Sequence, residues 1–180
     1  MRLIFTLFFS TLFASLSAQI YVCKTGSIKF VSEAPLELIK AQSTKATGVI
    51  DLATKNVAFS IDIDSFDGFN SGLQKEHFRE NYMETGKYPK ATFKGKIIED
   101  VDLTKDGVYT VRAKGTFMIH GTEKEKILKA KLTVKAGTIL VESSFEVLLD
   151  DHDIKVPKIV NQKIASVIGV EVSALLKPKQ

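Results

Sequence analysis

From residue 57 onward, apolar and polar positions alternate in long runs, and a period of two marks a strand with one buried face. In residues 57–64 the odd positions Val57, Phe59, Ile61 and Ile63 are apolar. In 109–120 the odd positions again form the apolar face, with Tyr109, Val111, Phe117 and Ile119. In 128–136 the even positions carry it, through Ala130, Leu132 and Val134. Ile139, Val141, Phe145 and Val147 alternate with Glu142, Ser144 and Glu146, and Val170, Val172, Ala174 and Leu176 with Glu171 and Ser173. Shorter or less regular strands are predicted at 27–31, 47–52 and 92–101, the last holding Phe93 and Ile97.

Turn signals separate these runs: Lys105-Asp106-Gly107, His120-Gly121-Thr122 and Ala136-Gly137-Thr138. Short connections make neighbouring strands antiparallel. Many strands with one apolar face each predict an all-β sandwich or closed barrel. Residues 71–83 break the alternation. Ser71 and Gln74 have capping-box spacing, and Leu73, His77, Phe78 and Tyr82 fall on one helical face, so a short helix is predicted there. A further helical turn is expected after Pro157. No repeat or linker divides the rest, so residues 19–180 read as one domain.

The first 18 residues differ in kind. Met1-Arg2 precede an apolar run from Leu3 to Leu16, and Ser17-Ala18-Gln19 offers a small residue at a cleavage point. These are the three parts of a secretory signal peptide, expected over 1–18. The run falls short of the roughly 20 apolar residues that span a bilayer. The expected product is exported, periplasmic or extracellular. Cys23 follows Tyr21 and Val22 rather than small residues, which argues against lipid attachment and for a buried thiol.

Composition narrows the chemistry. One cysteine excludes an internal disulfide and a cysteine-based metal cluster. A formal charge of +4, with both signs interspersed, does not indicate nucleic-acid binding. His77, His120 and His152 lack any ligand-pair spacing, and the Asp150-Asp151-His152-Asp153 cluster lacks the ligand order of a calcium loop. No nucleophile motif or phosphate-cradling glycine loop is present. The residues define no catalytic site and no cofactor.

What remains is the inward face, built of Phe, Ile, Val, Leu and Tyr. It fits either a filled core or a ligand cavity, since a barrel of about eight strands is just large enough for one small guest. The small residues Gly95, Ala113, Gly115 and Ala130 on that face are expected to leave room. The outward lysines Lys129, Lys131 and Lys135 read as a solvated face, with contact to an anionic membrane surface as the second reading.

Three segments carry a family resemblance. Residues 73–84 followed by Lys87-Tyr88-Pro89-Lys90-Ala91-Thr92-Phe93 resemble the short helix and K-Y-P-x-x-x-F segment of the YceI-like family. Residues Gly115 to Lys124, with Ile119-His120-Gly121, are similar to that family's hairpin, and Asp64-Ser65-Phe66 to the end of the strand before its helix. The resemblance spans roughly residues 20 to 177. Tyr21 stands where members commonly have Trp, and Ser32-Glu33-Ala34-Pro35 where many have a strand-end His.

The resemblance implies a lipocalin-like antiparallel β-barrel of about eight strands whose lumen holds an isoprenoid lipid or isoprenoid quinone. It implies a binding protein and no catalytic residues. The expected wall comprises Phe59, Ile61, Ile63, Phe93, Ile97, Tyr109, Val111, Phe117, Ile119, Leu132, Phe145 and Val147. Phe66, Phe69, Phe78 and Tyr82 are expected to form or cover the mouth. A structural or interaction protein with a packed core and a small exported hydrolase or metal-dependent enzyme are the alternatives. A homodimer is left open.

Overall fold

The period-two runs fold as eight strands: β1 (Ile20–Glu33), β2 (Leu38–Asp51), β3 (Asn56–Asp62), β4 (Lys90–Ile97), β5 (Gly107–Ile119), β6 (Thr122–Lys135), β7 (Thr138–Leu148) and β8 (Val167–Pro178). The computed structural model describes residues 19–179; the leader expected over 1–18 and Gln180 lie outside the described residues. Each strand pairs antiparallel with its sequence neighbour, and β1 also pairs with β8, from Tyr21 opposite Pro178 to Val31 opposite Gly169. The sheet is therefore a closed barrel.

The tight turns follow from residues that tolerate left-handed backbone. His120-Gly121 (φ +53° and +71°) joins β5 to β6, and Ala136-Gly137 (φ +48° and +70°) joins β6 to β7. Positive φ at both central residues is the geometry whose twist matches the flanking strands. The two longest connections lie at the opposite end from the Ala136-Gly137 turn. Residues 63–89 link β3 to β4 through α1 (Gly72–His77) and a π turn (Phe78–Tyr82), and residues 149–166 link β7 to β8. The side-chain oxygen of Ser71 accepts from the Gln74 N–H at 3.1 Å and so caps α1. The Gln74 side chain accepts from the N–H of Asn70 instead of Ser71, one residue earlier than a standard capping box.

β1 and β2 are longer than the pattern predicted, at 14 residues each. Their pairing shifts register between Cys23 and Gly26 and again before Ile28. The inward set therefore changes from Tyr21 and Cys23 to Gly26, Ile28, Phe30 and Ser32, and on β2 from Ile39, Ala41 and Ser43 to Ala46 and Ile50. A bulge of this kind swaps the faces of a strand and erases a continuous alternation.

Two inward glycines serve a purpose other than the one expected. Gly95 and Gly115 sit opposite each other on β4 and β5. A Cβ on Gly115 would lie 2.2 Å from the Lys94 carbonyl oxygen, and one on Gly95 would lie 2.6 Å from that of Lys114. They let the two backbones close in on one another and do not widen the lumen.

The floor of the barrel is packed. Ile50, Ile97, Leu103, Val134, Ile139 and Leu176 are buried in one cluster, with Leu103 reaching in from the β4–β5 connection. Replacing Gly115 by Val is expected to cost more than about 3 kcal/mol or abolish soluble expression, because backbone occupies the space. Gly137→Ala meets nothing within 4 Å and should cost about 1 kcal/mol, the left-handed penalty alone. Urea denaturation of the two variants measures the contrast.

Candidate ligand-binding cavity

Above the floor the barrel is hollow. A cavity of about 540 Å³ runs from Ile50, Val57, Val111, Leu132 and Val141 to the end that carries the long connections. That volume is in the range of sites for small organic ligands. Its wall is aliphatic and aromatic, and Ala91, Ala113 and Ala130 supply the width. Ser60, Thr92 and Ser143 are polar interruptions, and the Ser143 hydroxyl is spent on the Lys129 carbonyl at 2.7 Å. The charged groups that border the cavity, Glu37 and Lys163, come from the turn between β1 and β2 and from the β7–β8 connection. His77 joins them from α1. The bore is thus apolar along its length and polar at one mouth.

Four phenylalanines gather below that mouth. Phe30 stacks on Phe78 at 5.3 Å, Phe66 tilts against Phe30 at 5.3 Å, and Phe69 lies 5.0 Å from Phe78. Offset and tilted pairs at these separations are the favoured aromatic contacts. α1 is held across the opening by polar contacts. Gln74 Nε2 donates to Glu37 Oε1 at 2.8 Å, and Asn70 Nδ2 to the Leu38 carbonyl at 3.1 Å. Burial pushes the Tyr82 phenol above its ordinary pKa.

The wall has a seam between β6 and β7. β6 and β7 pair only from Ala130–Ser143 to Lys135–Thr138, which leaves 122–129 of β6 without a β7 partner. Lys126 spans this seam. Its Nζ donates to the Glu146 carbonyl and lies 5.5 Å and 5.4 Å from the Phe117 and Phe145 ring centres. Burial lowers the Lys126 pKa from its ordinary value, with Asp151 and Glu146 opposing. A partly desolvated ammonium over two aromatic faces is a cation–π plug in the barrel wall.

All predicted wall and mouth residues except Tyr109 border the cavity: Phe59, Ile61, Ile63, Phe66, Phe69 and Phe78, then Tyr82, Phe93, Ile97, Val111 and Phe117, and finally Ile119, Leu132, Phe145 and Val147. Tyr109 sits too near the start of β5, where its ring covers Gly107 and its hydroxyl donates to the Lys105 carbonyl at 3.0 Å. The sequence reading missed Phe30, although Ile28 and Phe30 alternate within the predicted strand 27–31. It also missed Ile39, Met83, Leu149, Ile154 and Ile164, which come from a bulged strand and from connections without period.

The segments that carried the resemblance turn out to touch one another. The Tyr88 ring meets the His120 ring edge-on at 4.6 Å, and a Cβ on Gly121 would strike Tyr88 at 2.4 Å. His120 Nδ1 donates to the His152 carbonyl at 3.0 Å, and Nε2 meets the Glu84 carboxylate at 2.8 Å. This clasp ties both long connections to the β5–β6 hairpin. It lies outside the cavity lining. His152 is itself buried against Phe117, with Nδ1 donating to the Thr122 carbonyl at 3.3 Å. Among the described residues no group of three or more His, Cys, Asp or Glu is placed to hold a metal ion.

A closed antiparallel barrel around a single apolar bore is the lipocalin-like class of fold. The profile of the YceI-like domain matches residues 23–176, and the chain belongs to that family. No curated protein matches the sequence. Among solved structures, it is similar to a polyisoprenoid binding domain from Saccharophagus degradans implicated in plant cell wall breakdown. The two share 16% identity and a TM-score of 0.75 over 91% of this chain and 100% of the other. It is also similar to BcnA of Burkholderia cenocepacia, with 13% identity and a TM-score of 0.70 over 83% and 95% of the two chains. The Campylobacter jejuni YCEI protein shares 19% identity and a TM-score of 0.62 over 78% and 85%.

The buried His152 side chain beside the clasp carries a pH consequence. Burial holds the His152 imidazole below its ordinary pKa, against the opposing effect of its bond to Thr122. The unfolded chain then takes up a proton that the folded chain refuses, so stability falls as the pH drops through the ordinary imidazole range near about 6.5. The urea midpoint is expected to decline between about pH 7 and pH 5, above the range where carboxylates titrate. A midpoint flat across that window contradicts the assignment.

Proposed function

We propose that the protein binds a long-chain isoprenoid lipid, a polyisoprenoid or isoprenoid quinone, in the barrel lumen as a carrier or store. The observation that carries this reading is the continuous apolar bore of about 540 Å³. A core filled from end to end would leave no such space, so the bore argues against the packed-core alternative. An isoprenoid chain offers almost only hydrocarbon surface, and each buried CH₂ contributes about 0.8 kcal/mol. Burying about ten carbons gives roughly 8 kcal/mol gross, the scale of micromolar binding when ordering costs are small. No charged anchor is needed. The similarity to a polyisoprenoid binding domain supports the same ligand class. The bore offers no reaction chemistry, which favours a binding protein over an enzyme.

Mass spectrometry of organic extracts of the purified protein tests the reading. An isoprenoid in stoichiometric amount is expected, and extracts free of one overturn it. Ala130→Phe places a ring in the bore while the floor stays packed. Displacing even two carbons of guest costs about 1.6 kcal/mol, so isoprenoid content should drop at least about tenfold with the fold retained.

We also propose that the protein is exported, periplasmic or extracellular, with the leader expected over 1–18 removed after Ala18. N-terminal sequencing of the exported product is expected to begin at Gln19. A product that keeps Met1 counts against export by cleavage.

A further inference from the structure

We propose that the rim of the cavity mouth is a docking face for a bilayer carrying anionic phospholipid, an inference that rests on the lumen being a lipid site. Three connections meet at this rim. Ile159, in the β7–β8 connection, is 92% exposed, Leu36 of the β1–β2 turn is 67% exposed, and Leu73 of α1 is 60% exposed. The Leu36 N–H donates to the Gln162 carbonyl at 2.9 Å, which fixes that turn to the connection holding Ile159. Leu73, Val160 and Lys163 border one opening. Large aliphatic side chains in water gain nothing for the isolated fold, and from three separate elements they form one apolar crest around the entrance.

Charge complements the crest. Residues 154–166 contain Lys155, Lys158 and Lys163 and no Asp or Glu. Among the described residues none of these lysines is in an ion pair. On the side wall Lys131 is paired with Glu142 at 3.2 Å, while Lys129 and Lys135 have no ion pair among the described residues. What sets the rim apart is that its lysines stand beside exposed aliphatic tips at the cavity mouth. The rim also has carboxylates, Glu33, Glu37 and Glu76, and Glu37 is engaged by Gln74. Asp150, Asp151 and Asp153 lie at the far end of the connection, towards β6, where Asp153 faces Thr122. Apolar tips among unpaired lysines are the surface chemistry that enters the interface of an anionic bilayer. The face is continuous with the bore, so a guest of the bilayer would pass between them without crossing water.

Cosedimentation with phosphatidylcholine vesicles, with and without phosphatidylglycerol and free of isoprenoid, tests the face. All proteins carry the same N-terminus. The wild type is expected to pellet with the phosphatidylglycerol vesicles and much less with phosphatidylcholine alone. Ile159→Asp with Leu36→Asp, and separately Lys155→Glu with Lys158→Glu, should each weaken binding at least about tenfold. Ile127→Asp, on the side wall beside the seam and 57% exposed, should leave binding unchanged. Failure of the wild type to pellet, equal binding by the rim variants, or a loss produced by Ile127→Asp overturns the proposal. Organic extraction of the same variants keeps the two readings apart. Isoprenoid present without vesicle binding sinks the docking face alone, and rim-dependent vesicle binding without isoprenoid sinks the cargo alone.

Discussion

The pairing of β1 with β8 is the constraint on which everything else depends. It joins the two ends of the described chain and closes the sheet on itself, so that neither terminal strand is left as an open edge. Closure also fixes an inside. Every second residue of eight strands must point into a space whose width is set by strand number and tilt rather than by the side chains. The interior residues fill that space at the floor and stop short of filling it above. The cavity is a geometric remainder of the closed sheet, kept open by alanines at positions where leucine would occlude it.

How much of this was legible depended on whether alternation ran unbroken. β5 to β8 keep one parity from end to end, so their inward residues could be read directly. β1 and β2 change parity at their bulge, and only half of each could be recognised; Phe30 lies in the recognised half of β1, alternating with Ile28, and was passed over there. β4 was read too far, because Ile98 and Val101 continue its apolar look after the strand has ended. Gly95 and Gly115 show a different limit. A small residue on an inward face signals either space or contact, and only the positions of the Lys94 and Lys114 carbonyls decide which.

The family-like segments teach a related lesson. Their aromatic, histidine and glycine residues invite a functional reading, and the structure turns most of them to architecture. Tyr88, Glu84, His120, Gly121 and the backbone of His152 lock the two long connections onto the β5–β6 hairpin. That clasp holds the mouth-forming segments at a fixed height above the bore. Phe78 and Tyr82 of the adjoining segment face the lumen instead. One sequence stretch thus carries both the anchor of the upper layer and part of its lining.

The sealed floor has a consequence for traffic. With Leu103, Ile139 and Leu176 closing one end, the barrel is a vessel with a single neck. A guest of the proposed kind, elongated and with one polar tip, would lodge tail first and back out by the route it entered. Loading and unloading would then share one path. Under the proposed carrier role, the net direction of transfer would be set by the chemical potential of the guest in the compartments the neck visits, since the vessel itself imposes no sense of flow.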